Sequence, residues 1–450
     1  MRPTWHRPLA NTALILSSLG LAFSAQAGTQ PLVDEAQNIY IPAADDRSAT
    51  LKVAAVYNDQ DIQIHYTYKT DSPSWYHQVW RYEDGEWVRY GSGGPGPDPH
   101  QLYEDRISML LDDGSVEDFD RFGGWMTVHE GMRSLTSAAD ADDVRSHAKL
   151  GKELGRSDVR KYLPQTRDVD DPAEPSWDAI KDNAELAQLQ QDGVFLDLWQ
   201  WRSHRSHPMG YADNNYVMHY RLSSDGDSMF TTNWDSDNNQ PAWMFDPKQV
   251  GSPALSWDAL LDREYGQDDP YFIHAGNAVA FDPDHDWQEG DVIPQRFLQQ
   301  PSGSRGAIQA DGGYKDGAWR ITLTRSLEAP NDHDSKTLSH GETYNVAFAV
   351  HSAAGARWHL VSLPQTLGLE QSDADIVAQK VSGNLDDAEL HWTEVDLFYP
   401  GQITYQFLHT EDHPGSDLVR EGQLGVRDLH DLDTLPDYIV DVESRKLDED

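Results

Sequence analysis

Alternation of apolar and polar side chains predicts a chain built mainly from β-strands. Residues 51–57 and 62–68 are two such runs, and the polar residues 58–61 between them indicate a hairpin. Residues 79–90 indicate a second hairpin, because the pair Asp84-Gly85 is one of the strongest turn signals between strands. The same pattern predicts six further strands, over residues 106–111, 215–222, 318–323, 344–351, 358–363 and 403–408.

Helical periodicity is sparse by comparison. Ser176 can cap a helix over residues 177–191, in which Ile180, Ala184 and Ala187 would share one face. Many short strands with few helices are typical of two packed antiparallel sheets. We therefore predict a mainly β fold: a β-sandwich of the immunoglobulin-like or DOMON-like kind, with long loop insertions and a few short helices.

The length and the distribution of polar residues indicate one main domain. It would span residues 28–410, with insertions near 138–190 and 223–300, where stretches rich in acidic residues, Gly, Asn and Pro are too long for ordinary loops. Residues 411–450 would form an acidic C-terminal tail that wraps over the domain or frays.

Residues 1–27 have the features of a secretory signal peptide. Arg2 and Arg7 precede the apolar run 13–23, and the small residues that end at Ala27 indicate cleavage there. The run is shorter than the roughly 18 apolar residues that a membrane-spanning helix needs. We therefore expect an exported protein, periplasmic or secreted, with no direct membrane span.

The chain is strongly acidic and has no cysteine. Its formal net charge of −41 at pH 7 argues against nucleic acid and anionic membranes as partners. Its 15 Trp, 19 Tyr and 12 Phe supply enough apolar surface for a core, so we interpret the acid as a halophilic surface and not as disorder. The absence of Cys excludes disulfides, thiolate nucleophiles, iron–sulfur clusters and covalently attached c-type haem.

Residues 123–133 concentrate side chains that can bind a metal in a thiol-free chain. Met126, His129 and Met132 lie within one short turn between glycines, and both His and Met are axial ligands of haem iron. The plainer alternative is a half-buried histidine with two core methionines.

Two further segments have a similar character. Residues 196–214 begin as an apolar strand and end in a cluster of His, Met and Arg, and the arginines could pair with the carboxylates of a bound group. Residues 344–368 carry two histidines near a predicted turn. The candidate side chains of these two segments are Trp199, Arg202, His204, Arg205, Met209, His351 and His359.

The order of these segments resembles the haem-binding domain family related to the gamma subunit of ethylbenzene dehydrogenase, which includes cytochrome c-552/dimethyl-sulfoxide-reductase-like domains. The resemblance spans roughly residues 50–410. The matching stretches are residues 103–107, 123–133, 197–202, 208–213, 316–319, 348–351 and 357–364.

This resemblance implies a haem b held without covalent links near one end of the sandwich. It implies that the chain has no catalytic site of its own and transfers electrons to or from a redox partner protein, such as molybdenum-enzyme subunits or a cytochrome. Relatives with covalent haem have two Cys where Trp125 and Val128 stand here, whereas His129 remains. Other relatives use a Met, matched by Met209 or a neighbour, and a Lys, near whose position His359 stands.

The resemblance therefore favours His129 and His359 as the axial iron ligands, with Met209, His204 and Met126 as alternatives. Trp199, Arg202 and Arg205 would line the haem pocket. Because the Cys and Lys of the relatives are missing, a scaffold that has lost haem is the second possibility.

Two other functions remain open from the residues alone. A non-haem module could bind carbohydrate or another small molecule on a platform of aromatic rings, for which the candidates are Trp75, Trp80, Trp87 and Trp243. A hydrolase could use the acidic clusters at residues 235–239 and 282–286, although surface acid explains these better in a chain with 76 acidic residues.

Overall fold

The computed structural model describes residues 30–91, 94–355 and 357–431. The predicted signal peptide, residues 1–27, lies outside the described residues, and so does the end of the predicted tail, residues 432–450.

Most regular structure in the described ranges is β. The strands are β1 Leu32–Asp34, β2 Ile39–Ile41, β3 Ser48–Tyr57, β4 Asp61–Lys69, β5 Val79–Glu83, β6 Glu86–Tyr90, β7 Arg106–Asp112, β8 Leu196–Arg202, β9 Tyr211–Val217, β10 Arg221–Ser223, β11 Phe230–Thr232, β12 Trp243–Phe245, β13 Leu255–Ser256, β14 Ile273–His274, β15 Ala278–Ala280, β16 Asp291–Pro294, β17 Arg296–Leu298, β18 Ile308–Lys315, β19 Ala318–Ser326, β20 Thr343–His351, β21 Leu360–Ser362, β22 Gln365–Leu369, β23 Ile376–Lys380 and β24 Thr393–Phe398.

The α-helices are few and short. They are α1 Phe119–Phe122, α2 Ala141–Ser146, α3 Asn183–Gln191, α4 Pro247–Val250, α5 Trp257–Leu261, α6 Tyr405–His409, α7 Ser416–Arg420 and α8 Val426–Asp431. The prediction of a mainly β chain with a few short helices is therefore confirmed.

Ten strands of the largest sheet close on themselves. Their order is β3-β23-β22-β20-β7-β8-β9-β18-β19-β4, and β4 pairs back onto β3. The result is a closed barrel and not clearly the predicted sandwich. The physical reason is that the β3–β4 hairpin occupies both would-be edges, because β3 also pairs with β23 and β4 with β19.

The barrel interior holds the alternate, inward-facing side chains of its strands. Trp199 and Trp201 of β8 and Trp319 of β19 are among the largest fully buried residues. Trp199, predicted to bind a cofactor, thus belongs to the barrel core, where Arg325 lies over its ring at 4.5 Å.

The opposite, outward face of β7, β8 and β20 is also covered. Leu110, Leu198 and Ala347 belong to a second apolar cluster with Phe119 and Leu408, which also includes residues of the helices α7 and α8. Residues 405–431 therefore pack as helices over the described part of the domain.

Two local predictions need correction. Residues 403–408 are not a strand: Thr404 caps α6, because its hydroxyl accepts a hydrogen bond from the backbone N–H of Phe407. The predicted helix over 177–191 begins only at Asn183, where Asp182 and Glu185 form a capping box. The hairpin at Asp84-Gly85 is confirmed.

Candidate functional site

The outward face of β7, β8 and β20 forms the floor of a cavity of about 370 Å³. On this floor Ser108 lies opposite Gln200 and Ala349, and two residues further along β7 Leu110 lies opposite Leu198. The floor is therefore polar at one end and apolar at the other.

Eight basic residues line this cavity, which we name the basic cavity. They are Arg106, Arg133, Arg160, Lys161, Arg205, Arg221, Arg296 and Arg357. No Asp or Glu is among the described residues that line it. A cavity of one sign inside a chain of net charge −41 is the reverse of what composition alone produces.

Half of these cations lack a compensating charge. Within the described ranges no carboxylate lies at ion-pairing distance from Arg106, Lys161, Arg221 or Arg296, and the charges of these four residues must be balanced in another way. The ammonium group of Lys161 donates a hydrogen bond to the hydroxyl of Thr127, at 2.9 Å.

Three of the others do have acidic partners. Arg133 and Arg160 share the carboxylate of Asp158, at 3.1 and 2.8 Å, and Arg205 pairs with Glu104. These pairs hold the guanidinium groups at the wall of the cavity while the acids themselves stay out of its lining.

Burial and mutual repulsion depress the pKa values of the unpaired cations. Burial, followed by the nearby Arg357 and Arg221, lowers the pKa of Lys161 to about 7. Burial, followed by Arg202 and Arg160, lowers the pKa of Arg221 to about 9. A guanidinium keeps its proton at neutral pH, so for arginine the shift expresses the cost of holding the charge there. An anion in the cavity would remove this cost.

Glu104 fixes Arg205 in place. Its fully buried carboxylate accepts hydrogen bonds from the backbone N–H groups of His204 and Arg205, at 3.1 and 2.8 Å, and from the Arg205 guanidinium. Although burial alone would raise it, the pKa of Glu104 is lowered, above all by Arg205. Phe230 supports the same wall, with Arg205 and Arg296 over its ring at 5.2 and 5.4 Å.

His351 and His359 stack face to face in the cavity wall, with ring centroids 4.3 Å apart and 8° between the planes. Burial, followed by the charge of Lys161, lowers the pKa of His359 well below its ordinary value. This imidazole is therefore neutral near pH 7 and adds a flat surface but no charge.

Of the candidate residues named from the sequence, Met132, Arg205, His351 and His359 line the basic cavity. Met126 is packed in the apolar cluster beside Phe119, and Met209 ends the short 3-10 helix His207–Met209. Of the predicted iron ligands only His359 lies at this cavity, because Met126, His129, His204 and Met209 are not among the described residues that line it.

His129, His204 and Arg202 are engaged elsewhere. Both ring nitrogens of His129 have protein partners, the carbonyl of Tyr162 at 2.9 Å and the amide of Gln406 at 3.2 Å, and burial lowers the pKa of the ring to about 3. The Nδ1 of His204 bonds to the carbonyl of Trp75 at 2.9 Å.

Arg202 is likewise held by a salt bridge with Asp213 at 2.6 Å, and both side chains are buried. These contacts show that Arg202 and His204, from the cluster of His, Met and Arg within residues 196–214, mainly hold the fold together.

The sequence interpretation missed Arg106, Lys161, Arg221 and Arg296. They come from separate strands and loops, and no local spacing connects them. The one available signal was the position of Arg106 and Arg221 at the ends of predicted strands. A charge that is buried there needs a counter-charge or a hydrogen-bond partner.

Of the four tryptophans proposed as an aromatic platform for carbohydrate, Trp75, Trp80 and Trp87 are buried and Trp243 is exposed. Trp80 stacks on Trp234 with ring centroids 4.0 Å apart, and Trp87 makes an edge-to-face contact with Trp287. Among the described residues, no group of three or more His, Asp or Glu side chains could hold a metal ion.

Comparison with known families gives one finding. A family model described as ethylbenzene dehydrogenase matches residues 22–362. The chain belongs to the ethylbenzene dehydrogenase family. The predicted relationship is thereby confirmed. No curated protein matches the chain.

The family match overturns two sequence predictions. The prediction of a protein without a catalytic role is contradicted, because the family is that of an enzyme. The prediction of haem b, with His129, His359 or Met209 on its iron, is contradicted as well, because the family is that of a molybdenum enzyme with a bis-molybdopterin guanine dinucleotide cofactor.

The basic cavity does not fit that molybdenum cofactor. Its volume of about 370 Å³ is near the lower end of the roughly 300–1,000 Å³ typical of pockets for one drug-sized ligand, whereas the cofactor contains two dinucleotides. The described lining also offers no thiolate or carboxylate for the metal. The cations would suit phosphate groups, but the site as a whole is too small.

Members of the family work in complexes with other subunits. Within the described ranges, no helix is both long and apolar enough to cross a membrane.

Proposed function

We propose that this chain works as an exported subunit of an oxidoreductase complex of the ethylbenzene dehydrogenase type. In this proposal the basic cavity holds an anionic, redox-active ligand through which electrons pass to or from a partner subunit. The family match supports the oxidoreductase part of the proposal, and the residues of the cavity support the anionic ligand.

One observation carries the proposal: the buried Arg106 and the half-buried Lys161, Arg221 and Arg296 face one cavity, and no described carboxylate lies at ion-pairing distance from them. Taking charge out of water without compensation is costly, so a fold that holds four cations at one cavity favours a counter-charge there. Inorganic ions from solution could supply part of it. A ligand with two or more carboxylate or phosphate groups would supply it with fixed geometry, because each arginine can bind such a group with two hydrogen bonds.

The rest of the lining indicates that the ligand is not only an anion. Leu110, Leu198 and Val361 form an apolar side of the cavity, and the stacked pair His351 and His359 presents a flat face. Apolar walls with a few convergent polar groups are typical of sites for organic ligands. We therefore propose an amphiphilic organic anion with acid groups on one side and an apolar, flat body on the other.

The first experiment identifies what the protein carries. The chain is purified from its own host, and the bound small molecules are released by denaturation and analysed by mass spectrometry. The absorption spectrum is recorded before and after reduction with dithionite. A stoichiometric organic anion with a spectrum that changes on reduction supports the proposal, whereas recovery of inorganic ions alone contradicts it.

The second experiment tests the site. Binding of bis-ANS, an apolar aromatic disulfonate, is measured by fluorescence, with pyrophosphate as competitor. Arg221→Gln removes an unpaired cavity cation, and Arg89→Gln removes an exposed one that lies outside the cavity. We expect the first variant to weaken binding and the second to leave it unchanged. Equal effects would contradict the assigned site.

A further inference from the structure

A second cavity of about 370 Å³ lies beside segments that also build the basic cavity. Four aromatic side chains line it, Trp75, Tyr76, Tyr265 and Tyr314, and we name it the aromatic pocket. Neither the family match nor the proposed function assigns it a role.

The chemistry of the aromatic pocket differs from that of the basic cavity. Its described lining contains one cation, Arg263, and one carboxylate, Asp268, so their formal charges cancel. Gln101 and Gln267 add amide groups that can both donate and accept hydrogen bonds. A lining without net charge, with aromatic walls and polar amides, favours an uncharged ring that carries several hydroxyl groups.

One wall of the pocket has an unmet hydrogen-bonding need. The hydroxyl of Tyr76 is buried and has no hydrogen-bond partner among the described residues, and the residue is only 5% exposed. Burial, followed by the nearby Tyr265 and Tyr271, raises the pKa of Tyr76 well above its ordinary value, so the group stays a neutral phenol. A neutral phenol can both donate a hydrogen bond to an uncharged ligand and accept one from it.

The two cavities share two chain segments. Within residues 73–78, Trp75 and Tyr76 line the aromatic pocket, whereas His77 and Gln78 line the basic cavity. Residues 101–106 are divided in the same way. A displacement of either segment would therefore move lining residues of both cavities.

A chain of hydrogen bonds also connects the two cavities. The carbonyl of Trp75 bonds to Nδ1 of His204 at 2.9 Å. The backbone N–H of His204 donates to the carboxylate of Glu104 at 3.1 Å, and that carboxylate holds Arg205 at the basic cavity. All members of this chain except Arg205 are buried to more than nine-tenths.

We propose that the aromatic pocket is a second binding site, for an uncharged sugar-like ring, and that this hydrogen-bond chain couples its occupancy to anion binding in the basic cavity. The coupling, but not the second site itself, rests on the proposed function. Each ligand changes the affinity for the other by the same factor, because coupling between two sites is reciprocal.

The first test measures sugar binding alone. Glucose and cellobiose are titrated into the purified chain by calorimetry and saturation-transfer NMR, with gluconate as a charged control. We expect cellobiose to bind and gluconate to bind more weakly. Tyr314→Ala should weaken cellobiose binding about fivefold through the lost aromatic contact, whereas Tyr211→Ala, which lies outside both cavities, should not. Binding that survives Tyr314→Ala unchanged, or is absent, overturns the second site.

The second test measures coupling. The dissociation constant of bis-ANS is determined with and without saturating cellobiose, and we expect a change of about fivefold or more. The reciprocal change in cellobiose affinity is measured on the same unmodified chain. His204→Leu, which breaks the link to Trp75, should leave both ligands bound and abolish their mutual effect.

The outcomes separate the two proposals. Cellobiose binding without any change in bis-ANS affinity overturns the coupling and leaves the second site standing. Bis-ANS binding without cellobiose binding overturns the second site and leaves the anion site standing. Cellobiose binding in a chain that does not bind bis-ANS or pyrophosphate overturns the proposed function and the coupling together.

Discussion

The inner and outer faces of the same barrel strands treat buried charge in opposite ways. Inside the barrel, Arg325 is fully buried and forms a salt bridge with the equally buried Asp197 at 2.6 Å. On the outer face, Arg106, Lys161, Arg221 and Arg296 line an open volume, and no described carboxylate lies at ion-pairing distance from them. The comparison teaches that burial of charge by itself does not mark a functional site. A functional site is indicated instead by a charge in the fold whose counter-charge has to come from a ligand or from another molecule.

Breaking the inner pair should have the largest effect. Arg325→Met leaves Asp197 buried without its partner, and we expect the free energy of unfolding to fall by about 3–5 kcal/mol. Chemical denaturation followed by tryptophan fluorescence measures this change. The double variant Arg325→Met, Asp197→Leu should recover most of the loss. If the double variant is no more stable than the single one, the interior charge is not the cause.

Removing a cation from the basic cavity should weaken ligand binding without destabilising the fold. Arg221→Gln takes away a charge that the anion-free fold holds at a cost, so the free energy of unfolding without ligand should stay the same or rise. Affinity for bis-ANS should fall about tenfold, which corresponds to loss of one charge-assisted hydrogen bond of roughly 1.5 kcal/mol. Denaturation and fluorescence titration of the same preparation measure both quantities. A strong loss of stability would make Arg221 a structural residue like Arg325.

Lys161 should make the stability of the anion-free chain depend on pH. The folded chain releases this proton near pH 7, whereas the ordinary pKa is 10.5, so between these values the unfolded state binds more protons. Stability therefore rises with pH across that window and carries the full cost of the charge below it.

Denaturation midpoints measured between pH 7 and pH 10.5 test this sign. Lys161→Met should flatten the profile, and saturating pyrophosphate should flatten it as well, because a bound anion restores the proton. A profile that is the same in Lys161→Met and in the unmodified chain contradicts the assignment.

Salt should have the smallest effect, and it should separate the two regions. Raising the salt concentration to about 1 M shortens the screening length to about 3 Å. Pyrophosphate should then bind more weakly in the basic cavity, whereas the Arg325–Asp197 pair is shielded from ions. Calorimetric titration follows the first effect. The denaturation difference between Arg325→Met and the unmodified chain should stay constant.

Local features could be predicted from the sequence, and long-range ones could not. The hairpin over β5 and β6 follows from Asp84-Gly85, where both residues have positive φ and the turn chemistry is local. Barrel closure depends on parallel pairing of β23 with β3, in which Gln379 lies beside Val56. No turn signal connects such distant residues, so the sandwich was the simpler interpretation.

The same limit applies to the site. Arg205 was found because it stands in a dense local cluster, and His359 because a family resemblance pointed to it. No local sequence pattern marks Arg296 and Lys161. They matter because no described carboxylate lies at ion-pairing distance from them, and this is visible only in the folded structure. His129 was predicted as a ligand for its residue type, although both its nitrogens serve the fold.

Closure of the ten strands also bears on the solubility of the chain. An open sheet presents a row of unpaired N–H and C=O groups at each edge, to which another chain can add a strand and start aggregation. In the ring from β3 to β4 each strand has a neighbour on both sides. Closure thus removes the two outer edges that these ten strands would expose as an open sheet, and it does so without a disulfide, since the chain has no cysteine.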